Sequence, residues 1–141
     1  MRLFHISVVL SLTTHRALCE PEETYKLLDF LTGDEIYSTQ LPRVWREVDP
    51  WLAAQFPQLM GNSPAMARHI ASLVTSIGGK TLSFSDPIIT EWVASVCAAM
   101  GLPEMIPVYE MPDDMHLHID NIEETKAMVG DNNVTVIEIP K

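Results

Sequence analysis

Sulfur chemistry has little to work with in this chain: of 141 residues only Cys19 and Cys97 are cysteine, and no CxxC spacing occurs. That excludes a redox pair and a multi-cysteine zinc site, and it makes Cys97, on an apolar helical stripe, an inert core thiol. Long apolar runs are also missing. The longest, Leu3 to Leu12, is broken by His5 and Ser7 and falls well short of the ~20 residues that cross a bilayer, so no membrane anchor is expected. Basic residues are scarce, 9 against 19 acidic, for a formal charge of −10. Binding to nucleic-acid phosphates draws on clustered Lys and Arg and is not expected here. Motifs of catalysis are absent as well. No GxSxG elbow occurs, and Gly78-Gly79-Lys80-Thr81 ends like a phosphate loop but has Val74 where the first glycine belongs, so it reads as a helix stop. No catalytic residue is assigned and no cofactor is expected.

What is present is enough apolar material for a real core, 47% of residues, in a length that suits one domain. The charge divides that domain into two parts. Residues 1–80 carry eight acids against seven bases, whereas residues 81–141 carry eleven acids against Lys126 and Lys141, with no base from Thr81 to Thr125. A helical part over about 1–80 and an acidic α/β part over about 81–141 are therefore expected. The second part projects a negative field that favours basic partners.

Helix punctuation is clearest at three places. Pro21-Glu22-Glu23 opens and Gly33 closes one helix; Ser63-Pro64 and Gly78 bound a second; Asp86-Pro87 and Gly101 bound a third. Ser7 to Thr14 reads as a short helix capped by Ser7. Pro42 starts a helix through Trp45 and Val48 that Pro50 interrupts, with a separate turn from Trp51 to Phe56. Thr81 to Ser85 alternates as a strand does, Ile106 to Glu110 reads as a strand, Asn121 to Val129 as a helix and Val134 to Ile139 as a terminal strand. The sum is an α+β fold, predominantly helical, with a small C-terminal sheet. Arg2, the apolar run and Ala17-Leu18-Cys19 have the outline of a secretory signal, but Thr13-Thr14-His15-Arg16 places polarity and charge before the cut, and cytoplasmic residence is the simpler expectation.

Three groups of side chains are candidates for function. In Asp113-Asp114-Met115-His116-Leu117-His118-Ile119-Asp120, extended backbone puts His116, His118 and Asp120 on one face, a set of metal-ligand type. Gln40, Arg43 and Arg46 surround a helix start and suit a small anionic ligand, together with Thr32, Gly33 and Asp34. Glu104, Glu110, Asp113, Asp114, Glu123 and Glu124 are the acids offered to a basic partner surface.

The run Thr32-Gly33-Asp34 followed by Gln40-Leu41-Pro42-Arg43 resembles the TGD…QLPR signature of a family of small uncharacterised bacteriophage and prophage proteins, over about residues 6–59. His15 stands where that family has glycine, Thr39 where it has histidine, and Phe56-Pro57 replaces its His-Pro. The resemblance implies a phage accessory setting in the host cytoplasm rather than a mechanism. The expected function is non-enzymatic, counter-defence binding of a host protein through the acidic face. The alternatives are binding or metal-assisted hydrolysis of a nucleotide or small anion by Arg43 with His116 and His118, and a homo-oligomeric virion component.

Overall fold

The computed structural model describes residues 1–119 and 122–124. Asp120, most of the expected helix from Asn121 and the expected strand from Val134 to Ile139 lie outside the described residues.

Within them the chain runs β1 (Arg2–His5), α1 (Ile6–Thr14), α2 (Pro21–Thr32), α3 (Leu41–Gln55), α4 (Pro64–Ile77), α5 (Pro87–Met100) and β2 (Met105–Val108), with single 3-10 turns at Ser38–Gln40, Pro57–Leu59 and Asp113–Met115. This is the predominantly helical α+β architecture expected. Its small sheet is two-stranded and antiparallel, with β1 paired to β2 so that Phe4 lies opposite Ile106.

The apolar run near the amino end is the centre of the fold. Ile6, Val8, Val9, Leu10 and Leu12 are all buried, as are Ser11, Thr13 and Thr14, so α1 is buried around nearly its whole circumference, as in a helix enclosed by others. It packs on α2 and α3. Its cap is His5 rather than Ser7: the His5 ring accepts the Ser7 N–H at 3.2 Å. Gly61 lies where a Cβ would meet Thr13 O and Thr14 Cα at 3.4 Å, and its N–H donates to Thr13 O at 2.9 Å. The absence of a side chain lets the α3–α4 connection press against the end of α1.

Two further expectations need correction. Pro50 does not end α3, which continues to Gln55. Val44, Val48 and Leu52 form one buried stripe four residues apart, and Trp51 Nε1 donates to Tyr109 O at 2.8 Å, so contacts on both sides of Pro50 hold the helix through the missing N–H. Thr81 to Ser85 is not a strand. It pairs with no strand among the described residues and closes in a turn, with Asp86 N donating to Ser83 O at 3.0 Å. Alternation without a partner does not make a strand. α4 and α5 form the hairpin on either side of this turn, pinned by Trp92 Nε1 donating to His69 O at 2.7 Å.

After β2 the chain crosses back over α3 and the end of α2. Gln55 brackets Tyr109, receiving its N–H at 2.8 Å and donating to its carbonyl at 3.3 Å, while Met111 N donates to Leu31 O at 3.0 Å. This strap delivers the second half of the candidate site.

Candidate functional site

The amino-terminal contribution starts where α2 stops. Gly33 takes a left-handed conformation, φ 75°, that ends the helix, and Thr32 Oγ1 accepts the Asp34 N–H at 3.2 Å, which sets Asp34 just beyond the helix end. Gln40, Arg43 and Glu47 follow along the start of α3, with Arg43 and Glu47 one turn apart on the same face. From the strap come His116 and His118.

One oxygen of Asp34 holds both histidines. Asp34 Oδ2 lies 2.8 Å from His116 Nε2 and 2.8 Å from His118 Nδ1, and the two rings meet edge to face with centroids 4.6 Å apart. A ligand atom from each of the three residues lies within 4.8 Å of the other two. On its far side His116 Nδ1 lies 2.7 Å from Glu47 Oε1. A carboxylate only accepts, so both His116 contacts are hydrogen bonds when both ring nitrogens carry protons. A cation at Nε2 would replace one of those protons and leave Nδ1–H on Glu47, the arrangement in which a carboxylate orients a metal-bound histidine.

Glu47 is itself fixed. Its Oε2 accepts from Arg43 Nη1 at 2.7 Å and from the Leu117 N–H at 2.8 Å. Arg43 then grips Glu124 with two parallel bonds, Nε to Oε2 at 2.8 Å and Nη2 to Oε1 at 2.7 Å, and donates to Leu117 O at 3.2 Å. Gln40 Nε2 adds bonds to Ile119 O at 3.1 Å and Glu124 Oε1 at 3.3 Å. These contacts shift the titrations in a consistent way. The Arg43 hydrogen bonds hold the Glu124 carboxyl below its ordinary range against the opposing effect of burial, and Glu124 in turn raises Arg43. At Asp34 burial disfavours the charge, but the bonds from His116 and His118 outweigh it and the carboxyl is lowered.

Exposure tells which side is open. The His116 side chain is 2% exposed, whereas His118 is 44% and Asp34 38%, so the group has a buried floor and a solvent-facing mouth. Asp113 stands at that mouth, 3.7 Å from His118 Nε2. Counting formal charges, Asp34, Glu47 and Glu124 face only Arg43 among the permanently charged groups named here. Two further positive charges, on the imidazoles or on one divalent ion, bring the cluster to balance.

The expected site residues are therefore redistributed. His116 and His118 do come together with a carboxylate, but the described carboxylate is Asp34, 82 and 84 residues away in sequence, and Asp120 lies outside the described residues. Among the described residues Arg43 is paired with the chain's own carboxylates, Glu124 and Glu47. Glu124 accordingly does not belong to the free acidic face, being 8% exposed. Glu104, Glu110, Asp113, Asp114 and Glu123 are exposed. Arg46 is exposed and makes none of these bonds, while Thr32 and Gly33 shape the helix end that positions Asp34. Glu47 escaped sequence reading as a site residue. Four residues after Arg43 on a helix, it is spaced for no more than a local ion pair, and the histidine it orients lies 69 residues away.

A family model described as a domain of unknown function (DUF7736) matches residues 4–62, a span that holds Asp34, Gln40, Arg43 and Glu47 but neither histidine, and its description carries no phage origin and no activity. No curated protein and no solved structure matches the chain.

Proposed function

We propose that this protein binds a divalent transition-metal ion through Asp34, His116 and His118. The observation that carries the reading is the convergence of these three ligand atoms within 4.8 Å, with Glu47 on the far nitrogen of His116. Two imidazoles and one carboxylate suit zinc, and also iron, nickel and copper, far better than magnesium or calcium, which take all-oxygen shells. Three protein ligands with a solvent-facing fourth position match sites that keep a water on the ion. Because Asp34 belongs to the helical body and the histidines to the strap, the ion would join the two.

Titration of metal-free protein with Zn2+ tests this, followed by Co2+, whose visible spectrum reports four-coordinate nitrogen and oxygen ligation. Saturable 1:1 binding is expected, weakened at least tenfold by His118→Ala and by Asp34→Asn. Both positions are partly exposed, so the variants should fold. Binding that is unchanged in both variants, or no binding, overturns the assignment.

A second reading rests on the exposure of Glu104, Glu110, Asp113, Asp114 and Glu123: a docking face for a basic host-protein surface, in the phage accessory setting that the TGD and QLPR residues suggest. An association whose strength does not fall as salt rises would remove it.

A further inference from the structure

Among the described residues Glu124 bonds to none of Asp34, His116 and His118, yet the bonds it does make lead to them. The line runs through two side chains. Glu124 accepts from one edge of the Arg43 guanidinium, Nε at 2.8 Å and Nη2 at 2.7 Å. Arg43 Nη1 donates to Glu47 Oε2 at 2.7 Å, and Glu47 Oε1 meets His116 Nδ1 at 2.7 Å. The side chains of Glu124, Arg43, Glu47 and His116 are 10, 17, 15 and 2% exposed, so water and salt screen these bonds poorly.

Leu117 is where this line acts on geometry. It stands between the two histidines, and one ion pair holds both of its main-chain groups: its N–H donates to Glu47 Oε2 at 2.8 Å and its carbonyl accepts from Arg43 Nη1 at 3.2 Å. Arg43 and Glu47 thus clamp the residue that spaces His116 from His118. A guanidinium is a rigid plane, so whatever fixes one edge aims the other. Glu124 fixes Nε and Nη2, and Nη1 is the nitrogen that reaches Leu117 and Glu47. Gln40 adds a second tie, donating to Ile119 O at 3.1 Å and to Glu124 Oε1 at 3.3 Å.

We propose that Glu124 is a positioning residue for the ion: by aiming Arg43 it holds His116 and His118 in binding geometry, and the ion in return holds residues 122–124 against α3. The proposal rests on the metal assignment above and supplies its regulation. Linkage makes the effect reciprocal. If docking of Glu124 raises metal affinity by some factor, the metal raises the docking equilibrium by the same factor. A change that draws Glu124 off Arg43 therefore weakens metal binding, and removal of the ion loosens residues 122–124.

The test measures Zn2+ affinity, by competition with a chelator, for wild type, Glu124→Gln, Arg43→Lys and the double variant, each first shown by circular dichroism to fold without metal. Glu124→Gln should weaken Zn2+ about tenfold and keep the four-coordinate Co2+ spectrum, because the three ligands remain. Lysine keeps the charge of arginine and loses its fork. Arg43→Lys should therefore weaken Zn2+ at least as much, and adding Glu124→Gln to it should change affinity by less than about twofold. In hydrogen exchange, saturating Zn2+ should slow the Glu123 and Glu124 amides about tenfold in wild type and less than about twofold in Arg43→Lys. Glu124→Gln and the wild-type exchange decide the matter even if an Arg43 variant does not fold. Three outcomes overturn the proposal while the metal assignment stands: an affinity in Glu124→Gln within about twofold of wild type, a Glu124→Gln effect undiminished beside Arg43→Lys, or exchange at Glu123 and Glu124 that Zn2+ leaves unchanged. Failure of the wild type to bind Zn2+ overturns both.

Discussion

At the scale of single residues, His15 shows what a local rule can cost. It ends α1 with φ 56°, the only non-glycine residue with positive φ among those described, in a left-handed conformation that a Cβ makes unfavourable by about 1 kcal/mol or more. The exposed pair with Asp49 returns only a few tenths of a kcal/mol. His15→Gly should therefore raise stability by about 0.5 to 1 kcal/mol, checked by urea denaturation. A loss of stability would mean that the ring's packing on Trp45 outweighs the backbone strain. Glu47 is the residue-scale lever on the proposed ion. Glu47→Gln preserves the shape but offers His116 Nδ1 a weaker, uncharged partner. Affinity for Zn2+ should fall about 10- to 100-fold without loss of the three ligands, read by competition with a chelator of known affinity.

At the scale of elements, the best-read helices were those in which several local signals agreed. Ser63 and Asp86 cap α4 and α5 with their side chains, each is followed by proline in the first turn, and Gly78 and Gly101 end them in left-handed conformations. What escaped reading was set by distant contacts. β1 exists because Met105–Val108 lies beside it, and α3 passes Pro50 because the core and Tyr109 hold both of its halves. α1, written largely in β-branched residues and leucine, is ambiguous between strand and helix from periodicity alone, and its enclosure by neighbouring helices resolves the choice. Its position at the centre of the core makes it sensitive to truncation. Leu10 is fully buried, and Leu10→Ala should cost about 3 to 5 kcal/mol, well above the same change at Leu3, which is 53% exposed; chemical denaturation of the two variants distinguishes them.

At the scale of the whole molecule, the site was legible in its two halves and illegible as a whole. The His-x-His spacing marked the strap, and the TGD and QLPR residues marked the body. No local pattern announces that Asp34 will meet His116, because the meeting depends on β2 turning the chain back across α3. The closure of that strap is held by a charge pair, and so depends on pH. Glu124 has its carboxyl lowered from 4.5, mainly by Arg43. A depressed carboxylate contributes its full stabilisation above its unfolded value, and that contribution fades as pH falls below 4.5 and through the lower folded value. Glu124→Gln leaves Arg43 with Glu47 as its remaining carboxylate partner and should destabilise metal-free protein at pH 7 by about 2 kcal/mol, the order expected when one partner of a largely buried pair is removed. Since the other carboxylates titrate in both proteins, the difference between wild type and variant isolates Glu124. It should stay level from pH 7 to about pH 5 and shrink at lower pH, measured by urea unfolding at each pH in the presence of a chelator. A gap that widens toward acid would reverse the sign and remove Glu124 as the strap's anchor. Hydrogen exchange supplies the spatial readout: in Glu124→Gln the amides of Leu117 and its neighbours should lose protection before those of α1, because the strap is tied to the body by these bonds while α1 opens only with the whole core.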